Sequence, residues 1–260
     1  MYLESVQNIS QTAKLKIQYL RKSLAAYMVS SILAGTYIGI GIVLIFAIGA
    51  PLAGVESAFT KLLMGTSFGI ALTLVVFAGA ELFTGNNMFM AIGLIKKEVK
   101  LNELLMVWIF SWVGNLIGSL IVAYLVVHSG AISHAASFIE KVSIAKMHMP
   151  ALQLFLRGIL CNWLVCLALW TSSRTKSDAA KCILIFWCLF AFISSGYEHS
   201  VANMTLLGMS LFFQHGDMIS WLGFSKNLFY VTMGNIIGGA FFVGALYCFA
   251  SPKPKEERKS

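Results

Sequence analysis

Six apolar stretches divide this chain, and two of them are too long to be single membrane helices. The first span runs from about 25 to 49, with Gly35, Gly39 and Gly41 placed for close helix contact, and Pro51 with Gly54 then marks a loop. A second apolar region covers about 62 to 93, roughly 32 residues, where about 20 suffice to cross a 30 Å hydrocarbon core. Its excess length, with Gly79, Gly85 and Asn86-Asn87, predicts a break inside the span. The third span is about 104–127. A polar segment with His128, His134, Glu140, Lys141, Lys146 and His148 follows. The fourth span is about 151–172, the fifth region about 180–213 is again overlong and broken at Gly196, and the sixth span is about 227–250.

The two breaks carry the same motif. Residues 79–86 read Gly-Ala-Glu-Leu-Phe-Thr-Gly-Asn and residues 196–203 read Gly-Tyr-Glu-His-Ser-Val-Ala-Asn, so both fit G-x-E-x-x-x-x-N. A second shared motif follows each: Gly114-Asn115-Leu116-Ile117-Gly118 and Gly234-Asn235-Ile236-Ile237-Gly238, at 35 and 38 residues between leading glycines. Two motifs in the same order at similar spacing indicate an internal duplication.

Composition makes the environment explicit. The chain is 58% hydrophobic and 12% charged, against about 25% charged residues in soluble domains, so it is an integral membrane protein. The net charge of +8 lies in loops and tails and is no nucleic-acid footprint. With six crossings and the N-terminus in the cytoplasm, 14 Lys and Arg fall inside: four in residues 1–24, then Lys96, Lys97 and Lys100, then Arg174, Lys176 and Lys181, then Lys253, Lys255, Arg258 and Lys259. Four fall outside (Lys61, Lys141, Lys146, Lys226), and Arg157 lies within the fourth span. That bias places both termini in the cytoplasm. Each repeat then has three spans, an odd number, so the second is inserted upside down. Inverted repeats with interrupted helices put a substrate path near the midplane at their interface. The predicted division is residues 1–24 as an amphipathic surface helix or a solvated basic tail, 25–250 as the six-helix domain, and 251–260 as a basic tail.

Few polar side chains are available for chemistry at membrane depth. His199 sits in the second break, either as an interface histidine or as a donor of a hydrogen bond or proton to a small anion. Glu81 and Glu198 occupy equivalent positions. Two free carboxylates would repel an anion, so both are read as structural acceptors for backbone N–H groups at the breaks, with proton relay as the alternative. Thr84 offers a hydroxyl in the first break. Asn86 and Asn203 are expected to satisfy broken backbone, Asn115 and Asn235 to pack, and Asn162 to act as interhelical glue or as a pore-lining donor. Phe68, Leu72, Leu82, Phe83 and Phe192 flank the breaks; bulky apolar side chains converging there would form dewetting constrictions. Lys146 either raises the local anion concentration or is an idle loop lysine. Five cysteines lie in apolar spans as small filler, and nothing in the sequence calls for a metal or a cofactor.

At these residues the chain resembles the formate/nitrite transporter family. The matching pieces are Glu81-Leu82-Phe83-Thr84-Gly85-Asn86, Gly114-Asn115-Leu116-Ile117-Gly118, the run from Cys161-Asn162-Trp163 to Ala168, the run from Gly196 to Met204, and Gly234-Asn235. Cys161-Asn162-Trp163 and Trp187-Cys188-Leu189 look most similar to its nitrite-channel branch, and the hydrosulfide branch is also similar. The resemblance implies an aquaporin-like protomer in a homopentamer of the bacterial inner membrane, with one pore per protomer for nitrite, formate or hydrosulfide, with or without a proton. It implies His199 as the central pore histidine, Thr84 as its partner, Asn162 as a pore asparagine and Lys146 as the lysine at the outer approach. Leu72 with Leu82 and Phe68 with Phe192 are implied as the inner and outer constrictions.

Two other function classes fit poorly. A membrane enzyme using Glu198 and His199 would need a nucleophile or metal set, and the spans hold no HExxH, GxSxG or paired aspartates. A purely structural scaffold has no use for two interrupted helices.

Overall fold

The computed structural model describes residues 2–251; the basic tail expected over 251–260 therefore lies almost wholly outside the described residues. Those residues form helices and connecting turns, with no strand among them. Helix α1 (Leu3–Lys22) leads into α2 (Leu24–Gly54). Helices α3 (Thr60–Ser67) and α4 (Gly69–Ala78) meet at a tight turn on Phe68, and α5 (Phe83–Ile95) follows the first break. Helix α6 (Leu101–His128) is continuous; a 3₁₀ turn (Ser133–Ala135) and α7 (Ala136–His148) come next. Helices α8 (Ala151–Ser172) and α9 (Asp178–Ser194) precede the second break, and α10 (Ser200–Phe212) follows it. Helix α11 (Trp221–Gly239) passes through a π-helical stretch (Ala240–Ala245) into α12 (Leu246–Phe249).

Among the described residues five helical stretches are long and apolar enough to cross a membrane: Leu24–Gly54, Thr60–Ala78, Leu101–His128, Ala151–Ser172 and Trp221–Phe249. Three local expectations need correction. The loop expected at Pro51 and Gly54 is the end of α2, because a proline near a helix terminus removes one N–H without stopping the remaining turn. The polar segment after the third span is mostly helix α7. The last span begins at Trp221, because Ser220 caps the helix by accepting the Gly223 N–H at 3.1 Å.

Helix α1 is amphipathic by burial as well as by sequence. Val6, Ile9, Ala13, Ile17 and Leu20 form one buried stripe, while Gln7, Lys14 and Gln18 are exposed. The stripe packs on protein: Val6 and Ile9 meet Met88, Ile92 and Trp170, and Ala13, Ile17 and Leu20 meet Met90, Val99 and Leu104. Its apolar face is thus covered by the bundle.

Close backbone approach holds each half together. A Cβ on Gly35 would strike the Asn115 backbone, and one on Gly118 the Ile32 carbonyl, where α2 crosses α6. The α8/α11 crossing repeats this, with Gly234 against the Phe155 carbonyl and Gly238 against the Ile159 carbonyl. At the breaks the need is conformational instead: Gly79 (φ 77°) and Gly196 (φ 71°) adopt a backbone that other residues rarely take, with no crowding at either.

The crossings generate a stability prediction. Gly118→Val and Gly238→Val each force backbones apart, and are expected to lower stability by roughly 1–3 kcal/mol or more, with Gly54→Ala, in open space, as the unaffected control. Thermal unfolding of purified protein in detergent checks this; an unchanged melting point for both valine variants would refute the packing account.

Candidate functional site: the two helix breaks and the cavities they separate

Each break ends a helix in the protein interior, where backbone donors need partners. Asn115 accepts the Phe83 N–H at the start of α5 (2.9 Å) and donates to the Ser31 and Glu81 carbonyls (2.7 and 2.9 Å). Asn235 accepts the Ser200 N–H at the start of α10 (2.9 Å) and donates to the Gly158 and Glu198 carbonyls (2.8 and 3.0 Å). The Glu81 and Glu198 N–H groups bond the Ser30 and Arg157 carbonyls, both at 3.2 Å. The expected division of labour is therefore reversed: Asn115 and Asn235 tie the broken backbone, although the sequence reading gave that task to Asn86 and Asn203.

The glutamates also differ from expectation, because side chains take their carboxylates. Lys16 Nζ lies 2.8 Å from both oxygens of Glu81, and Tyr27 and Asn86 donate to Oε2 at 3.2 and 3.1 Å. Lys146 Nζ lies 2.7 Å from Glu198 Oε1, and Asn203 donates to Oε2 at 2.6 Å and to Asn227 Oδ1 at 2.8 Å. A lysine-glutamate-asparagine set thus stands at each break. The lysines come from α1 and α7, the helices that precede the first span of each half.

A cavity adjoins each break. One, about 600 Å³, is lined by Lys61, Lys141, Lys146, Phe192, His199 and Asn203 among others. The other, about 570 Å³, is lined by Lys16, Tyr19, Val75, Glu81, Leu82 and Asn86 among others. Aligning the two motifs puts His199 and Leu82 at the same position, so the same slot lines one cavity with an imidazole and the other with an isobutyl group. Phe68 and Leu72 are buried in the core with Leu82 and Phe192. The Phe68 ring meets Phe192 edge-on at 5.5 Å, and Phe192 stacks on His199 at 6.0 Å. Phe83 belongs to the same core but lines neither cavity; it borders an apolar groove of about 260 Å³ with Trp108, Trp112 and Thr232.

His199 is 3% exposed and bridges the halves. Its Nδ1 accepts the Ala202 N–H at 3.1 Å, capping α10. A backbone N–H can only donate, so Nδ1 carries the lone pair and the ring proton sits on Nε2. Nε2–H then donates to Thr84 Oγ1 at 3.1 Å, across from α10 to α5. Asn162 is fully buried and lines neither cavity; its amide reaches the Thr84 and Asn235 carbonyls (3.1 and 2.6 Å) and Asn87 Oδ1 (3.0 Å). Of its two open readings, the geometry supports the interhelical tie.

The comparisons with known proteins agree with this architecture. The family described as Formate/nitrite transporter matches residues 3–249. The chain belongs to the formate/nitrite transporter family. It is 42% identical over 229 residues to the Nitrite transporter NirC of Escherichia coli, covering 87% of this chain and 84% of that protein. A solved "FNT family ion channel" superposes with a TM-score of 0.91 at 41% identity, covering 96% of this chain and 99% of the other. A "Pentameric formate channel with formate bound" gives 0.78 at 29% identity, covering 88% and 98%. The relatives are transporters and channels, so this member of the family is a transport protein and not an enzyme.

Lys16, Tyr27 and Asn227 escaped the sequence reading. Lys16 stands 65 residues before Glu81, and Lys146 stands 52 before Glu198, so the lysines share no register with the motif.

The buried pair is testable by a double-mutant cycle. Lys146→Met leaves Glu198 buried without its cation and is expected to destabilise the protein by roughly 3–5 kcal/mol, while Lys146→Met with Glu198→Gln recovers most of that. Thermal melts of the four proteins decide it: additive losses would remove the coupling.

Proposed function

We propose that this family member conducts small monovalent anions of weak acids, nitrite foremost, through a path in each protomer that joins the two cavities past His199 and Thr84. The single observation that carries this is the His199–Thr84 hydrogen bond, which joins the two helix breaks, with His199 lining one cavity and the first break lining the other. Similarity to NirC favours nitrite. Formate follows from the formate-bound neighbour, and hydrosulfide from the likeness noted in the sequence. The pentameric neighbour supports a homopentamer. Helix α9, 17 residues and about 25 Å long at 1.5 Å per residue, supplies the sixth crossing. The lysine and arginine bias supports both termini in the cytoplasm of a bacterial inner membrane, with the Lys146 cavity outside.

An anion moving down the Lys146 cavity toward His199 passes Phe192, packed edge-on against Phe68, and loses water there at a large electrostatic penalty in low dielectric. His199 Nε2–H offsets part of this by exchanging Thr84 Oγ1 for the anion, a hydrogen bond strengthened by charge. The freed Thr84 hydroxyl donates a second. The N-termini of α5 and α10 both begin beside this point, and their partial positive charge favours an anion there. Leu72 and Leu82 then close the far side before the Lys16 cavity. Protonating the anion would need an imidazolium, whose extra proton belongs on Nδ1, where the Ala202 N–H now sits. Hydrogen bonding without proton transfer is therefore the reading the geometry favours.

Flux into liposomes holding the purified protein tests this, with nitrite, formate and hydrosulfide compared near pH 5.5 and pH 7.5. Wild type is expected to carry nitrite fastest, and His199→Ala to lose about ten- to a hundredfold, the rate equivalent of one hydrogen bond to a charged group. Dominant hydrosulfide or formate flux would change the substrate and keep the path. No flux of any of the three from folded oligomer would overturn the proposal.

A further inference from the structure

Lys146 lines the same cavity as His199, but its charge is paired. Lys146 is held 2.7 Å from Glu198, its side chain 18% exposed, so the pair presents no net charge to the cavity. The opposite cavity repeats this: Lys16 is paired with Glu81 and Lys181 with Asp178. The Lys146 cavity differs because two more lysines line it. Lys61, in the first turn of α3, and Lys141, on α7, are both exposed. Among the described residues neither has a carboxylate within 4.0 Å, whereas each of the other three lysines does. Glu56 is the acidic residue on that lining; it sits in the left-handed region (φ 51°) on the turn after α2 and is paired with neither lysine.

We infer that Lys61 and Lys141, rather than Lys146, are the residues that concentrate the anion and set the sign preference of this mouth. Two positive charges against Glu56 leave the rim net positive. The cavity runs from these lysines down to His199, and its protein walls carry their field toward the floor, where the anion loses water. Lys146 and Glu198 are left a positioning role: they fix the second break and the lower wall. The division has a physical logic. A charge bonded to a buried carboxylate shapes structure and is little screened by salt, whereas an exposed, unpaired charge acts at a distance and is screened within about 8 Å at physiological ionic strength. This inference rests on the proposed function, since it assigns the Lys146 cavity to the anion's path.

The test separates the two. Initial nitrite flux at low concentration is measured in liposomes holding the full chain, across a series of concentrations of a salt that does not permeate. Wild type, Lys61→Gln/Lys141→Gln and Lys61→Arg/Lys141→Arg are compared. At low salt the glutamine pair is expected to run roughly three- to tenfold slower than wild type, with the gap closing as salt rises. Its flux at saturating nitrite in high salt should match wild type, and the arginine pair should restore both rate and salt slope. A glutamine pair with the wild-type salt slope, or one equally slow at every salt, overturns the inference. If the glutamine pair fails to assemble, the wild-type slope still decides: flux independent of salt also overturns it. Absence of nitrite, formate and hydrosulfide flux in wild type would instead reject the underlying function.

Discussion

Everything in this protein depends on satisfying two helix breaks inside an apolar interior. A backbone interrupted at that depth leaves donors and acceptors that no solvent reaches, and each orphaned group costs about 1–3 kcal/mol. One asparagine on the neighbouring long helix solves this in each half. Asn115 and Asn235 each take the first N–H of a half-helix and give their amide protons to one carbonyl within the break and one on the adjacent long helix. An asparagine suits the task because its side chain carries an acceptor and two donors on one rigid plane. The glycines flanking these asparagines let the helices approach closely enough for so short a side chain to reach.

The same ties explain how a duplicated frame yields an unsymmetrical centre. The shared parts of the motif, glycine, glutamate and asparagine, do equivalent work at both breaks. The positions between them are free to differ, and they do: Leu82 stands where the other half has His199, and Thr84 stands where it has Val201. Each half thus supplies one polar and one apolar side chain to the centre. His199 and Thr84 meet across the interface because the two half-helices begin there. The chemistry is a product of divergence within a conserved mechanical solution.

Charge is handled by a similar division. The glutamates at both breaks are paired with lysines from α1 and α7, so neither carboxylate stands as a free anion beside its cavity. Helix α1 gains from this as well as from its apolar stripe. Its lysine and its buried face bind the same structure, and Arg21 reaches Glu103 at 2.7 Å to fix its far end. A segment that composition alone describes as a basic tail or surface helix is in fact one wall of a cavity.

The sequence by itself determined the class of molecule, the two breaks and the motif they share. These are carried by local and periodic signals: runs of apolar residues measured against membrane thickness, glycines where the backbone must turn, and a motif repeated in order. It also singled out His199, Thr84, Phe68, Leu72, Leu82 and Phe192, because polar or bulky groups beside a break stand out against an apolar background. Tertiary structure alone decided which partner each group takes. Asn115 and Asn86 lie in different motifs, yet their roles are not written there: Asn115 bonds backbone and Asn86 a carboxylate, because only the crossing of α6 over α2 brings Asn115 to the gap. Lys16 and Lys146 keep no fixed distance from their glutamates. Phe83, one residue from Leu82, turns to a separate groove because the first turn of a helix points successive side chains in different directions. Pairings across helices depend on three-dimensional packing, which no pattern along one chain records.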